Sequence, residues 1–141
     1  MVQFNSRMET LILKQTGCNK SQVWEAFGEA LNKNKYLAIS TLDLSGNPIE
    51  VGSFLGKSIW THSILQDAGM VKIASAIQQW RCPLRYLDVS NTGLSKHGIG
   101  NILASIAGNQ NVYTTIEYLN IGDNKVNFQI CLKNVYLRVG G

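Results

Sequence analysis

The chain has 141 residues, of which 45% are hydrophobic and 16% charged, so its composition is that of a single globular domain and excludes a disordered chain. No apolar run approaches the roughly 20 residues that span a bilayer, and the first residues, MVQFNSRMET, lack the apolar stretch of a secretory signal. We therefore expect a soluble, intracellular protein with no direct membrane insertion.

The charge and the cysteines exclude two further classes. The net charge is +4, but lysines and arginines are scattered singly, so no basic stripe predicts nucleic-acid binding. The three cysteines, Cys18, Cys82 and Cys131, contain no C-x-x-C pair and have no histidine nearby. Neither a disulfide framework nor a zinc site is predicted, and we expect no cofactor.

A strand pattern begins near the N-terminus and recurs three times. The template is L-x-x-L-x-L-x-x-N/T-x-L, which is typical of leucine-rich repeats. In a short strand the side chains alternate, so the two central apolar residues, such as Leu42 and Leu44, point into one core. With the usual aliphatic substitutions, four segments fit this template: 8–18, 39–49, 84–94 and 116–126.

The ninth template position has its own chemistry. Its side chain must bond backbone groups where the chain leaves the strand, which an amide or a hydroxyl can do. The alternation of the two residue types along the chain predicts two slightly different kinds of repeat. The residues at this position are Thr16, Asn47, Thr92 and Asn124.

Amphipathic helices are predicted between the strands. Residues 21–31 have Ser21 as a candidate N-cap and place Val23, Phe27 and Leu31 on one face. Because one strand and one helix cannot bury their apolar sides alone, we expect an α/β solenoid, a horseshoe segment with parallel concave strands and outer helices. Two further helices, over 69–80 and 95–107, have apolar faces of Met70, Ile73, Ala74 and Ile77, and of Ile99, Ile102, Leu103 and Ile106.

The segment after the second strand contains Gly-Lys-Ser at 56–58. A phosphate-binding loop needs a glycine where Val51 stands, and Gly52 is one residue too close, so the loop would be one residue short. The four template copies start 31, 45 and 32 residues apart, and removing residues 51–66 shortens the long step to 29. We interpret 51–66 as a loop insertion, with an ordered extra helix as the alternative.

Residues 1–126 are thus predicted to form a segment of about four repeats. After residue 126 no strand template is found, so we expect 127–141 to be a non-repeat C-terminal tail. The chain is expected to be a fragment of a longer repeat protein.

The third, fifth and seventh template positions are predicted to face solvent on the concave side. Neighbouring repeats then align two tyrosines, and two aspartates with one asparagine. Tyrosine combines apolar area with a polar tip and is frequent in binding hot spots. A protein-binding face and a solvated surface without a partner both fit this pattern. The candidate binding residues are Thr41, Asp43, Tyr86, Asp88, Tyr118 and Asn120.

Catalysis finds no support in the pattern. Asp43 and Asp88 form a candidate acid and base pair, but neighbouring strands hold them about 5 Å apart on a surface where we expect no pocket to shift their pKa values. His62 and His97 have no nucleophile at a recognised spacing. We predict that the chain is not an enzyme.

Three segments resemble, in the same order, the repeat domain of the CARMIL family, the capping protein, Arp2/3 and myosin I linkers: LDLSGNPIE at 42–50, LRYLDVSNTGLSKHGIGNILASIAGNQ at 84–110 and TIEYLNIGDN at 115–124. The repeats are similar in length to the ribonuclease-inhibitor type. The resemblance covers most of residues 8–126.

The resemblance implies a non-enzymatic scaffold that takes part in regulating actin filament assembly and capping protein. It also implies a cytoplasmic location, at the cytoskeleton or near the plasma membrane, as in the lamellipodium of a migrating cell. In that family the capping-protein contact lies after the repeats, so this chain alone is not expected to uncap filaments. The alternative is a ligand-binding segment of a ribonuclease-inhibitor-like or innate-immune sensor protein.

Overall fold

The computed structural model describes residues 2, 5–18, 20–47, 68–124 and 136–138. Within these ranges every strand is three residues long, and the helices range from 6 to 13 residues. In chain order the elements are β1 (Thr10–Ile12), α1 (Ser21–Lys33), β2 (Thr41–Asp43), α2 (Ala68–Gln78), β3 (Tyr86–Asp88), α3 (Lys96–Gly108), α4 (Gln110–Thr115), β4 (Tyr118–Asn120) and β5 (Tyr136–Arg138).

The strands form one parallel sheet in the order β1-β2-β3-β4-β5, so each strand pairs with the next one along the chain. The central leucines are in register across the first four strands, from Leu11 through Leu42 and Leu87 to Leu119. Because crossovers between neighbouring parallel strands share one hand, the helices lie on one face of the sheet. The predicted α/β class, with parallel strands and helices, is confirmed.

The core lies between the sheet and the helices. The inner residues of β2, β3 and β4 are buried, as the template predicts, whereas Leu11 and Leu13 of the edge strand β1 are only partly buried. Two tryptophans close the core and satisfy their indole nitrogens, since Trp24 donates to Cys18 O at 3.1 Å and Trp80 to Ile39 O at 3.0 Å.

The predicted apolar face of α2 is confirmed, because Met70, Ile73, Ala74 and Ile77 are all buried. Helix α3 agrees at three of its four predicted positions. Its Ile99, Ile102 and Ile106 are buried, and Leu103 packs partly buried against the core. The 3.6-residue period is strong in both helices, so the pattern predicts the correct side.

The predicted face of α1 is wrong at one residue. Val23 is 47% exposed, and its neighbour Trp24, only 3% exposed, enters the core instead. The buried stripe therefore passes through Trp24, Gly28 and Leu31. Ser21 is not the N-cap either, because it is the first helical residue and Lys20 holds the capping position without a side-chain cap bond.

Two elements differ from the sequence prediction. The short helix α4 fills the connection between α3 and β4. Strand β5 pairs with β4 and places Tyr136 in register with Tyr118, a strand within residues 127–141 that the template does not predict. The sequence signal for β5 is a further Tyr-Leu dipeptide like those in β3 and β4. It is weak, because the copies in β4 and β5 are only 18 residues apart, well short of the spacing between the template copies.

The predicted insertion at 51–66 lies outside the described residues, as does most of 127–141, and both remain predictions. The Gly-Lys-Ser segment at 56–58 lies outside the described residues too. Among the helices in the described ranges, none combines the length and apolarity needed to cross a membrane.

Gly28 allows α1 to approach α2 closely. A Cβ at this position would lie 2.5 Å from the Cβ of Lys72 and 2.8 Å from the backbone nitrogen of Ile73. The same contact is supported by an ion pair between Lys72 and Glu29 at 3.4 Å and by a hydrogen bond from Asn32 Nδ2 to Lys72 O at 3.1 Å. Because one clashing atom belongs to the backbone, a side chain at Gly28 must push the two helices apart.

We expect Gly28→Ala to lower the free energy of unfolding by about 1–3 kcal/mol, although alanine is the better helix former. Gly100→Ala in α3 is the matched control, since Gly100 is exposed and a Cβ added there meets no described atom beyond its own helix within 4 Å. That control should raise the free energy of unfolding by roughly 0.5–1 kcal/mol. Urea unfolding followed by far-UV circular dichroism measures both, and equal stability of the two variants would contradict the close helix contact.

Candidate protein-interaction face

One side of the sheet carries no helix, and we call it the open sheet face. Alternation along each strand brings every second residue to this side. The strand register places Tyr86 beside Tyr118 and aligns Asp43, Asp88 and Asn120, as the template predicts. In the first four strands and the two residues that follow each of them, the face consists of Thr10, Ile12 and Lys14; Thr41, Asp43 and Ser45; Tyr86, Asp88 and Ser90; and Tyr118, Asn120 and Gly122.

Solvent exposure on this face differs from the prediction. Thr10 and Ile12 of β1 and Lys14 just after it are exposed, and Thr41, Asp43, Tyr86 and Tyr118 are half-buried. The expectation that all these positions face solvent is wrong for Ser45, Asp88, Asn120 and Gly122, because neighbouring side chains and turns cover them. Ser45 is 4%, Asp88 7% and Asn120 8% exposed.

Tyr86 and Tyr118 stack on one another. Their ring centroids are 4.3 Å apart and the ring planes differ by 3°. The hydroxyl of Tyr86 also lies 3.4 Å from Oδ2 of Asp88. Such a pair stabilises by about 0.5–1.5 kcal/mol beyond the area it buries. The two candidate tyrosines therefore form one rigid aromatic surface.

The aligned aspartates and asparagine bond their own turns. Oδ1 of Asp43 accepts from Ser45 N at 2.9 Å, Oδ1 of Asp88 from Ser90 N at 2.9 Å, and Oδ1 of Asn120 from Gly122 N at 3.0 Å. Each is an Asx turn, in which a short polar side chain bonds the backbone two residues ahead. The turn needs only an acceptor oxygen, so aspartate and asparagine serve it equally.

The two carboxylates differ in how fully they are bonded. Asp88 also accepts from Ser90 Oγ at 2.6 Å and from Asn120 Nδ2 at 3.0 Å. Among the described residues, Asp43 accepts only from Ser45 N, which leaves its Oδ2 open. The pair is therefore unequal: Asp88 is occupied by structural bonds, and Asp43 has capacity for a ligand.

A cavity lies on the open sheet face at the carboxyl ends of the strands, and Asp88 lines it whereas Asp43 does not. Its volume is about 410 Å³, and its lining includes Lys14, Ser45, Tyr86, Asp88 and Asp123. The hydroxyl of Ser45 is buried on this lining and has no hydrogen-bond partner among the described residues. A buried polar atom without a partner marks a place where a water or a ligand belongs.

Burial raises the pKa of the Tyr86 hydroxyl, and the negative charge of Asp88 adds to the effect, followed by interactions with Tyr118 and the charge of Asp43. The ionised phenolate would lie in a site that is already negative. Tyr86 therefore stays protonated well above the usual range for tyrosine.

The four ninth-position residues lie together at the strand exits and bond successive turns. Oδ1 of Asn47 accepts from both the backbone nitrogen and the hydroxyl of Thr16, each at 2.8 Å, and its Nδ2 donates to Leu44 O at 2.9 Å. Oδ1 of Asn124 likewise accepts from Thr92 N at 3.0 Å, and its Nδ2 donates to Ile121 O at 2.9 Å. Each asparagine thus closes its own turn and the preceding threonine turn.

The backbone of these turns follows one pattern. Each turn has one residue with positive φ just before the ninth position, at Gln15, Gly46, Asn91 and Asp123. In both threonine turns the residue after the threonine also has positive φ, Gly17 with 71° and Gly93 with 75°. Because glycine adopts this conformation without steric cost, the Thr-Gly dipeptide is the sequence signal of the threonine type.

Metal binding has no support in the described ranges, where no group of three or more His, Cys, Asp or Glu side chains could hold an ion. The candidate His97 lies in the first turn of α3, where its backbone nitrogen donates to Ser95 Oγ at 3.1 Å. His62 is outside the described residues.

No protein-family model matches the chain. A curated protein of Dictyostelium discoideum, Rho GTPase-activating protein gacW, is 24% identical over 122 residues. The match covers 86% of this chain but only 9% of that protein. The chain is therefore similar to a small part of a much longer relative, at an identity that does not establish a family.

We expect Asn47→Ala to lower the free energy of unfolding by about 2–4 kcal/mol, since it leaves buried backbone groups of two turns without partners. Thr16→Val, which removes the hydroxyl bond to the same amide and a long, exposed bond from Cys18 N at 3.4 Å, should cost about 0.5–1.5 kcal/mol. Urea unfolding of both variants measures the difference. Equal losses would show that Asn47 does not join the two turns.

The raised pKa of Tyr86 makes stability depend on alkaline pH. In the unfolded chain the tyrosine ionises near its ordinary pKa of about 10, whereas in the folded chain it resists ionisation. Its contribution is therefore fully present below pH about 10 and is lost as the pH rises further. The free energy of unfolding should fall more steeply above pH about 10 in the wild type than in Tyr86→Phe. Parallel pH profiles from urea unfolding would refute the assignment.

Proposed function

We propose that the chain is a leucine-rich repeat solenoid segment of the ribonuclease-inhibitor type and serves as a non-enzymatic protein-interaction scaffold. Supporting the solenoid are a parallel sheet whose strands follow chain order, helices between the first four strands, and the asparagine bonds that join successive turns. Stacked repeats of this kind characteristically present one continuous face to partners.

More narrowly, we propose that the scaffold belongs to a CARMIL-like regulator of actin filament assembly and capping protein, located in the cytoplasm at the cytoskeleton or near the plasma membrane. The support is the order of the three similar segments, which contain β2, β3 with α3, and β4. As in that family, other parts of a longer protein would contact capping protein.

The similarity to part of a Rho GTPase-activating protein fits a segment within a larger protein. Since the chain spans 9% of that relative, GTPase activation is not carried over to it.

The observation that carries the interaction role is the stacked pair Tyr86 and Tyr118 on the open sheet face. Both rings are half-buried, so they are fixed by the protein and still accessible. A rigid aromatic surface loses little conformational entropy on binding, which is why tyrosine is frequent among binding hot spots.

A photo-crosslinking amino acid at Thr10 tests this proposal, because Thr10 is exposed on the open sheet face. The matched control is the same amino acid at Val71, which is exposed on α2. In cells, we expect Thr10 to yield adducts with actin-regulatory proteins, identified by mass spectrometry, and Val71 to yield none of them.

Two outcomes count against the proposal. Equal adducts from Thr10 and Val71 would refute binding through the open sheet face. Strong adducts from Thr10 that contain no actin-regulatory protein would refute the CARMIL-like role and favour the ribonuclease-inhibitor-like or immune-sensor alternative.

A further inference from the structure

The row of aromatic rings on the open sheet face stops at β2. Strand register aligns Thr41 with Tyr86 and Tyr86 with Tyr118, and the two rings stack. The neighbour of Tyr86 on its other side is a threonine, whose side chain is too small to continue the stack. We call the space over Thr41, beside the Tyr86 ring, the Thr41 slot. A planar group placed there would extend the row by one layer.

The surroundings of the Thr41 slot are negative, although the whole chain carries a net charge of +4. Asp43 lies two residues beyond Thr41 on the same face, in register with Asp88. The carboxylates of both residues act on the Tyr86 hydroxyl and contribute to its raised pKa, so the field at this ring is negative. A cationic group is favoured here and an anion is repelled.

The nearby basic residues only partly offset this charge. Arg85 precedes the tyrosine and forms an ion pair with Glu117. Lys14 lines the cavity from the edge strand, but Asp88 and Asp123 line it as well. This cavity adjoins the slot at Tyr86 and is not lined by Thr41 or Asp43; its three charged side chains sum to one negative charge.

One carboxylate oxygen at the slot has capacity for hydrogen bonds. Among the described residues, Oδ2 of Asp43 has no donor. Asp88, by contrast, is occupied by Ser90 and Asn120. A planar ligand with several donors can stack on the ring and donate to the Asp43 oxygen.

We propose that the Thr41 slot binds an arginine side chain of a protein partner. The guanidinium stacks on the Tyr86 ring and donates N–H groups to Oδ2 of Asp43. A guanidinium is planar, carries five donors and keeps its charge, so it combines stacking with ion pairing. A lysine ammonium pairs with the carboxylate but cannot stack as a plane.

This inference rests on the proposed function, since the arginine belongs to a protein held on the open sheet face. The test uses the full chain, labelled with ¹⁵N, and two peptides of equal charge, Gly-Arg-Gly-Arg-Gly amide and Gly-Lys-Gly-Lys-Gly amide. We expect the arginine peptide to shift the amide signals of Asp43, Ser45 and Tyr86 and to bind roughly 3- to 10-fold more tightly than the lysine peptide.

Asp43→Asn is the decisive variant because it removes the charge and keeps the acceptor of the Asx turn, as Asn120 does in β4. It should weaken arginine-peptide binding by roughly 5- to 10-fold. Glu29→Gln, on α1, makes the same change in net charge far from the slot and should leave binding unchanged. Tyr86→Leu should abolish the preference for arginine over lysine.

Equal affinity for the two peptides, or equal losses in Asp43→Asn and Glu29→Gln, would show general attraction to negative charge and overturn the slot. The two proposals fail separately. If Thr10 still crosslinks actin-regulatory proteins while Asp43→Asn has no effect on peptide binding, the slot is wrong and the interaction face stands. If the arginine peptide binds as expected and Thr10 crosslinks nothing, the interaction face is wrong and the slot stands.

Discussion

Asn47 and Asn124 each bond two successive turns through one side-chain amide, and the stacking of those turns sets the spacing of the whole molecule. Strands of three residues supply few ladder bonds, so the ladder continues into the turns, where Gln15 N donates to Ser45 O and Asn91 N to Gly122 O. With the turns in register, the leucines on one side meet the helices. On the other side, the same register brings the tyrosines into contact.

The open sheet face shows how structural and functional demands share the same positions. Its acidic residues first serve as turn acceptors, a role that asparagine fills equally well at Asn120. Asp88 then also accepts hydrogen bonds from Ser90 Oγ and Asn120 Nδ2. Oδ2 of Asp43, by contrast, accepts none among the described residues. Similar residues aligned on neighbouring strands are therefore not equivalent binding sites, because each side chain retains a different capacity to accept hydrogen bonds.

Strong periodicity accounts for what the sequence predicts well: the four template strands, their register and the buried faces of α2 and α3. It fails in α1, where Val23 and Trp24 compete for the core. There the outcome depends on the close contact of Gly28 with Ile73 of α2. The burial of Asp88 and the cavity beside it depend on how side chains from neighbouring strands fold over one another. The sequence contains those residues but does not reveal the bonds between them.

The alternation of threonine and asparagine turns has a consequence for how such an array can change length. The amide bonds link Thr16 to Asn47 and Thr92 to Asn124, and no described side-chain bond of this kind joins Asn47 to Thr92. A threonine turn and the asparagine turn that follows it are thus the unit that these amide bonds hold together. Removing a single inner repeat would bring two asparagine turns, or two threonine turns, side by side and break the alternation on which the joints depend.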